Sequence, residues 1–270
     1  MPLLDTPYPL TDAQVAFYQQ NRYIKLKQVF NAATIAELNG AITQHVNANS
    51  QAVLPLAERD TYGKAFLQLY NLWQHLPVVR ALVLSPRLGQ LAAQLMQVKG
   101  VRLYHDQALF KEPGGGITPW HADQHYWPLS TDKTITAWVP LQATPLAMGP
   151  LEFSAASHQL ITGRNLKISD HSEATMQQQL RLGNFKHVIE PFDVGEVSFH
   201  SGWVFHRAGA NTTRHVRKVM TAIYMDSAMV VKQPENKYQQ ADLEKWCPGA
   251  TPGGLAATPL NPMAGKPVAS

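Results

Sequence analysis

Apolar residues recur at three- and four-residue spacing through the first hundred positions, then in short alternating or continuous runs. In "NAATIAELNGAITQHVNA" the residues Ile35, Leu38, Ile42 and Val46 form one stripe, which predicts a helix. "LTDAQVAFYQQNRY" predicts another, opened by Thr11 as N-cap with Gln14 at the capping-box position. "LPVVRALVLSPRLGQLAAQLMQ" predicts one or two more, broken near Ser85-Pro86, because a residue before proline is pushed out of helical backbone.

From Val101 the texture changes. "VRLYHDQALFK", "TITAWVPL", "GEVSFHSGWVFHRA" and "VRKVMTAIYMD" each have the pattern of a strand, punctuated by Gly and Pro. Many short strands after a helical lead-in predict a mainly β barrel or jelly roll with flanking helices, not a parallel α/β sheet. The lead-in covers residues 1–100 and the core 101–230. Residues 160–187 are polar and irregular enough for an insertion over one mouth. The Pro/Gly/Ala-rich tail, 248–270, is expected to lie extended on the surface or to be mobile.

Composition narrows the function class. The 270 residues are 45% hydrophobic and 16% charged, which is globular, and the formal charge of +4 is spread without a basic run. That gives no case for nucleic acid or a membrane as partner. No apolar stretch reaches about 18 residues, and the N-terminus lacks a signal-peptide pattern. Cys247 is the single cysteine, so any metal must be held by His and carboxylate. A soluble, cytoplasmic protein acting on a small molecule is the expectation; nothing in the pattern sets an oligomeric state.

The candidate chemistry starts at "TPWHADQHYWPL". On a strand, residues i and i+2 share a face, so His121 and Asp123 would aim at one point. His206, in the apolar run "SGWVFHRA", offers a third donor. Two histidines and a carboxylate on one face of an octahedron leave three open positions, which suits non-haem Fe(II) and O2. Arg217 follows eleven residues later, with the turn-forming "GANTT" between. A hairpin there would set 206 opposite 217, with Arg217 sharing an inner face with Val219, Thr221 and Ile223. A guanidinium so placed would grip the far carboxylate of an organic acid bound to the metal.

Together "LFKEPGGGITPWHADQHYWPL", "TAWVPL", "MGPLEFSAASH" and "FHRAGANTTRHVRKVMTAIYMD" resemble the phytanoyl-CoA dioxygenase family of Fe(II)/2-oxoglutarate-dependent oxygenases. The resemblance implies one oxygenase domain with a double-stranded β-helix (jelly-roll, cupin-like) core. It implies iron at His121, Asp123 and His206, with 2-oxoglutarate and O2 as cosubstrates and Arg217 on the distal carboxylate. Trp138 and Gln107 match cosubstrate contacts, and Tyr126 and Trp127 look like substrate-side residues. Two departures stand out: Ala122 replaces a frequent Gln, and Ala208 replaces a Ser that helps bind the cosubstrate, a role open to Thr212 or Thr213. Retention of Asp123 favours hydroxylation over halogenation.

Other residues have plainer readings. His125 shares strand parity with His121 but has no implied metal role; His105, His200 and His215 are expected to make ordinary hydrogen bonds. Gly114–Gly116 is expected to be a turn. Lys111 and Arg214 are candidates for an anionic substrate or for plain solvation. Trp203, with Tyr126 and Trp127, suggests an apolar or ring-bearing ligand. Two rival functions remain: a cupin-type metal-dependent hydrolase or isomerase, which would not need Arg217, and a non-catalytic jelly-roll binding module.

Overall fold

In the computed structural model, residues 2–50 and 54–265 are described. Two helices, α1 (Asp12–Asn21) and α2 (Ala32–Asn49), flank the first strand, β1 (Tyr23–Leu26). Thr11 caps α1 in a complete capping box with Gln14, as its sequence predicts. The stripe Ile35, Leu38, Ile42 and Val46 is the buried face of α2. A short helix α3 (Thr61–Ala65) leads to β2 (Leu67–Tyr70), and then α4 (Pro77–Val83) and α5 (Pro86–Met96) follow. The break between these two falls at Ser85-Pro86, where Ser85 caps α5 through the Leu88 N–H.

The β region comprises β3 (Val101–Lys111), β4 (Thr118–His121), β5 (Thr134–Pro140), β6 (Leu151–Ser154), β7 (His187–Ile189), β8 (Val197–Ser201), β9 (His206–Ala208) and β10 (Arg217–Asp226). The major sheet runs β1-β8-β5-β10-β3, with β2 also on β3, and the minor sheet runs β4-β9-β6-β7. All pairings among them are antiparallel. The two sheets form a jelly-roll core.

Strand parity decides which side each residue serves. Ile135, Ala137 and Val139 of β5 and Met220, Ala222 and Tyr224 of β10 pack outward against α2, α4 and α5 in the largest apolar cluster. The alternate residues, Trp138 and Val219 among them, face inward and meet Leu151 and Phe153 of the minor sheet. Both faces of the major sheet are therefore covered, which is why its strands read as nearly continuous apolar runs.

Two segments differ from their sequence expectations, and a third had none. The insertion at 160–187 contains a 13-residue helix, α6 (Asp170–Leu182), capped by Ser169. Its Glu173 accepts from the Trp120 N–H at 2.9 Å and pairs with Arg207 at 2.7 Å, which fastens α6 to the minor sheet. Residues 237–246, for which the apolar pattern made no prediction, form α7 (Lys237–Trp246). The tail folds back instead of lying free: β11 (Met263–Ala264) pairs with β3, and Asn261 is fully buried. The Asn261 amide donates to the carbonyls of Leu103, Tyr104 and Trp246, tying α7 to the barrel. Residues 266–270 of that segment lie outside the described ones. No helix among the described residues is long and apolar enough to cross a membrane.

Candidate metal centre and cavity

His121 ends β4 and His206 begins β9, and the two are direct partners across that antiparallel pair. Their ring centroids are 4.1 Å apart. Asp123 is not on the strand with His121: it opens a 3-10 turn, Asp123–Tyr126, that swings its carboxylate back over the two rings. The strand-parity argument for the pair thus fails in detail, while the convergence it predicted holds. Asp123 Oδ1 lies 3.5 Å from His121 Nε2 and 3.7 Å from His206 Nε2. Donors sharing one ion at about 2.1 Å and 90–110° sit roughly 3.0–3.4 Å apart, so this set needs only slight contraction to hold a metal.

The outer partners fit the same conclusion. His121 Nδ1 lies 2.7 Å from the Pro119 carbonyl, and His206 Nδ1 lies 3.1 Å from that of Val204. A ring that donates Nδ1–H to a carbonyl presents the lone pair of Nε2, the tautomer a metal requires. Burial, then the neighbouring His121, hold His206 well below the ordinary imidazole range and keep it neutral. Burial alone would raise the Asp123 carboxyl, but His206, His121 and His200 together hold it well below the usual range. The three ligand atoms all lie within 4.8 Å of one another, and no other such group of three occurs among the described residues.

The two Asp123 oxygens have different neighbours. Oδ1 faces the ligand histidines, whereas Oδ2 lies 3.5 Å from both His200 Nε2 and the Thr136 hydroxyl. His200 is 2% exposed, and beyond the long approach of its Nε2 to Asp123 its ring nitrogens have no hydrogen-bond partner. It is therefore not the ordinary hydrogen-bonding histidine its sequence suggested. Its position suits it to orient the outer oxygen and keep the carboxylate single-toothed toward a metal.

Arg217 is not the cross-strand partner of His206. Strand β9 is three residues long and belongs to the minor sheet, and the chain then crosses to the major sheet, where Arg217 pairs with Lys111. Asn211 fixes the crossing by donating to the carbonyls of Lys111, Glu112 and His215. Arg217 nevertheless faces inward, as its parity with Val219 and Thr221 predicts, and lines the same cavity of about 380 Å³ as His121, Asp123 and His206. It is 1% exposed, lies 5.6 Å from the Trp138 ring, and donates to the Gly149 carbonyl at 2.6 Å. Its Nε has no partner. Burial pulls its guanidinium down to about 9, which leaves it cationic at neutral pH.

Trp138, Gln107, Tyr126 and Trp127 line the cavity as well, with Gln107 bonded to Gln68 of β2. Thr212, Lys111 and Trp203 do not. Thr212 is exposed, with its hydroxyl on the Ala147 carbonyl, and Thr213 closes the same turn on Asn211 and His215. Lys111 is fully buried beyond the cavity end, donating to the Gly116 carbonyl; burial and the Arg217 charge pull it down to about 6. Trp203 turns the other way, under the Arg164 guanidinium at 4.4 Å. The hydroxyl available near Ala208 is that of Thr118, its direct partner in β4, buried on the cavity wall without a hydrogen bond.

Several wall residues had no reading from the sequence. Tyr62, Phe66 and Tyr70 come from α3 and β2, Lys167 and Ile168 from the insertion, and Tyr238, Asp242, Lys245 and Trp246 from α7. The last group carried a usable signal: Asn236 as N-cap, then Tyr238, Asp242 and Trp246 at four-residue spacing on one helix face.

Comparison with known proteins agrees with this geometry. Residues 18–219 match the family described as phytanoyl-CoA dioxygenase (PhyH). A curated relative, a probable alpha-ketoglutarate-dependent hypophosphite dioxygenase of Stutzerimonas stutzeri, is 21% identical over 225 residues, covering 77% of this chain and 76% of the relative. Among solved structures, the alpha-ketoglutarate-dependent carbocyclase SnoK from nogalamycin biosynthesis superposes with a TM-score of 0.77 at 23% identity, over 96% of this chain and 99% of its own. The iron-bound form of EctD from S. alaskensis gives 0.67 at 18% identity, over 87% and 84%. The family match spans most of the chain and takes in His121, Asp123, His206 and Arg217: the protein belongs to the phytanoyl-CoA dioxygenase family of iron- and 2-oxoglutarate-dependent oxygenases.

Proposed function

We propose that this oxygenase hydroxylates a small organic substrate bearing a ring or an apolar body, with release of succinate and CO2. The observation that carries the cosubstrate assignment is Arg217: a buried guanidinium with an unpartnered Nε and no carboxylate partner among the described residues, in the cavity that also holds the His-Asp-His set. A buried cation without a counter-charge is costly, so the site is built for an incoming carboxylate.

The residues divide the work as follows. His121, Asp123 and His206 would hold Fe(II) on one face, leaving the opposite positions for cosubstrate and O2. Bound iron, 2-oxoglutarate and O2 together supply oxidative decarboxylation coupled to cleavage of a substrate C–H bond. Arg217 takes the distal carboxylate of 2-oxoglutarate, supported by the Thr118 hydroxyl where many relatives use a Ser at position 208. Trp138 walls that end. Tyr126 and Trp127 flank the space left for substrate and keep water from it.

The test is spectroscopic. Anaerobic addition of Fe(II) and 2-oxoglutarate is expected to give the weak visible charge-transfer band, and admitting O2 with substrate to give succinate. Tight metal binding without a band would favour the hydrolase or isomerase reading. A band without succinate or O2 uptake for any compound tried would favour a binding module.

A further inference from the structure

The oxygenase reading leaves a half-buried acid of the cavity wall unused. Asp242, on α7, lines the outer part of the cavity. It accepts from the Tyr104 hydroxyl at 3.4 Å, long for an O–H···O bond, and from the Trp246 side chain. A carboxylate has about four acceptor positions, so about half of its capacity is unfilled. No ion pair involves Asp242 among the described residues. Lys245, three residues on, favours the ionised form of Asp242 from a distance without forming an ion pair; its ammonium rests over the Tyr70 ring at 3.9 Å and the Trp246 ring at 4.4 Å. Burial accordingly pushes the Asp242 carboxyl up to about 7.

The position along the barrel is informative. Tyr104, which holds Asp242, and Lys111, which pairs with Arg217, are seven residues apart on β3, roughly 20 Å at the usual strand rise. The rung of His105, Ile223 and Thr136 lies near the Tyr104 end, and Thr136 touches Asp123. Arg217 thus stands at one end of the cavity, the candidate metal ligands lie between, and Asp242 lies just past them at an end that Lys167 and Lys245 also line.

The class of occupant follows by elimination. An anionic group beside Asp242 would also feel Asp123. A wholly apolar group would seal the carboxyl from water without a partner. A hydroxyl would fill one acceptor position. A protonated amine fills several, supplies the counter-charge, and is attracted by the faces of the surrounding rings. Lys245 already shows that those faces accept an ammonium. His105 is no competitor for the role: burial pulls its imidazole down to about 3, and it stacks neutral on Trp246 at 4.3 Å.

We propose that the substrate carries a protonated amine, received by Asp242 within the rings of Tyr70, Tyr126, Tyr238 and Trp246. The inference rests on the oxygenase reading and refines it. The test is a panel of aryl- and alkylamines, each with its N-acetyl and carboxylate analogues (tryptamine, N-acetyltryptamine and indole-3-propionate as one set), read by succinate release from the full chain loaded with Fe(II) and 2-oxoglutarate. Amines are expected to be preferred over their N-acetyl forms by at least ten-fold in kcat/KM. Asp242→Asn is expected to erase that preference through KM, and Asp242→Glu to restore part of it. Glu244→Gln, an exposed acid on the same helix, leaves KM unchanged. Equal response to amines and N-acetyl forms, no response to any amine, or an unchanged KM in Asp242→Asn overturns the inference. If Asp242→Asn does not fold, the wild-type amine preference decides alone. Absence of the 2-oxoglutarate band in the wild-type chain would instead sink the oxygenase reading.

Discussion

The two ends of the cavity are built differently. The inner end draws its residues from strands of both sheets: Trp138 and His206 are paired on either side, and Thr118 and Arg217 are fixed on one side against β9 and β3. The outer end draws on α3, the insertion before α6, and α7, elements attached to the barrel and not woven into it. Binding a small dicarboxylate and a metal demands placement within tenths of an ångström, which a hydrogen-bonded sheet supplies. Selecting among substrates demands shape and a few polar groups, which appended segments can vary without disturbing the metal. Attachment is nonetheless firm: Gln239 donates to the His125 carbonyl on the metal turn at 3.1 Å, and Asn261 secures α7 from the other side.

The division can be broken from the inner end first. His206→Ala is expected to lower metal affinity by more than about a hundred-fold, beyond the 10–100-fold typical of outer partners, by titration calorimetry with Mn(II) or Co(II). Arg217→Ala comes next: removing a buried charge partner costs about 2 kcal/mol or more, so 2-oxoglutarate should bind at least about thirty-fold more weakly while metal affinity holds. Wild-type cosubstrate affinity in that variant would end the Arg217 assignment. At the outer end, Asn261→Ala leaves three buried carbonyls short of a donor and is expected to cost about 2–3 kcal/mol in denaturant unfolding, with the ligand histidines untouched. His200→Ala should weaken metal binding about ten-fold through Asp123, with His200→Gln recovering part of it; an unchanged affinity would make His200 mere filling. The smallest effect belongs to Thr118→Val, about five- to ten-fold on 2-oxoglutarate affinity, as for one ordinary hydrogen bond of about 1 kcal/mol.

These residues also show where a sequence can be read and where it cannot. His121, Asp123, His206 and Arg217 announce themselves because their residue types are chemically uncommon together and their spacings suit strands. Thr118 and His200 do not, because a threonine or histidine on a strand is common and its use depends on what the other sheet places opposite. The sequence offered Thr212 or Thr213 for the role of the Ser missing at Ala208 and gave no sign of Thr118. The ladder makes Thr118 the direct neighbour of Ala208 in space, while Thr212 lies outside the cavity. The proposed 206–217 hairpin failed for a related reason: turn residues mark a reversal, but not whether the chain returns to the same sheet.

What the sequence by itself determined is local and periodic: the caps at Thr11 and Ser85, the stripe of α2, the inward parity of Arg217 with Val219 and Thr221, and the donor types available to a metal. Each depends on residues within a turn or a strand of one another, where backbone geometry alone sets direction. Tertiary structure decided what crosses between sheets and segments: the turn that carries Asp123 back over the histidines, the burial of Lys111 outside the cavity, and the closing of the outer wall by α7 and Asn261. Those outcomes depend on strand pairing and on burying backbone carbonyls across long stretches of chain, and no periodicity in the residues records them.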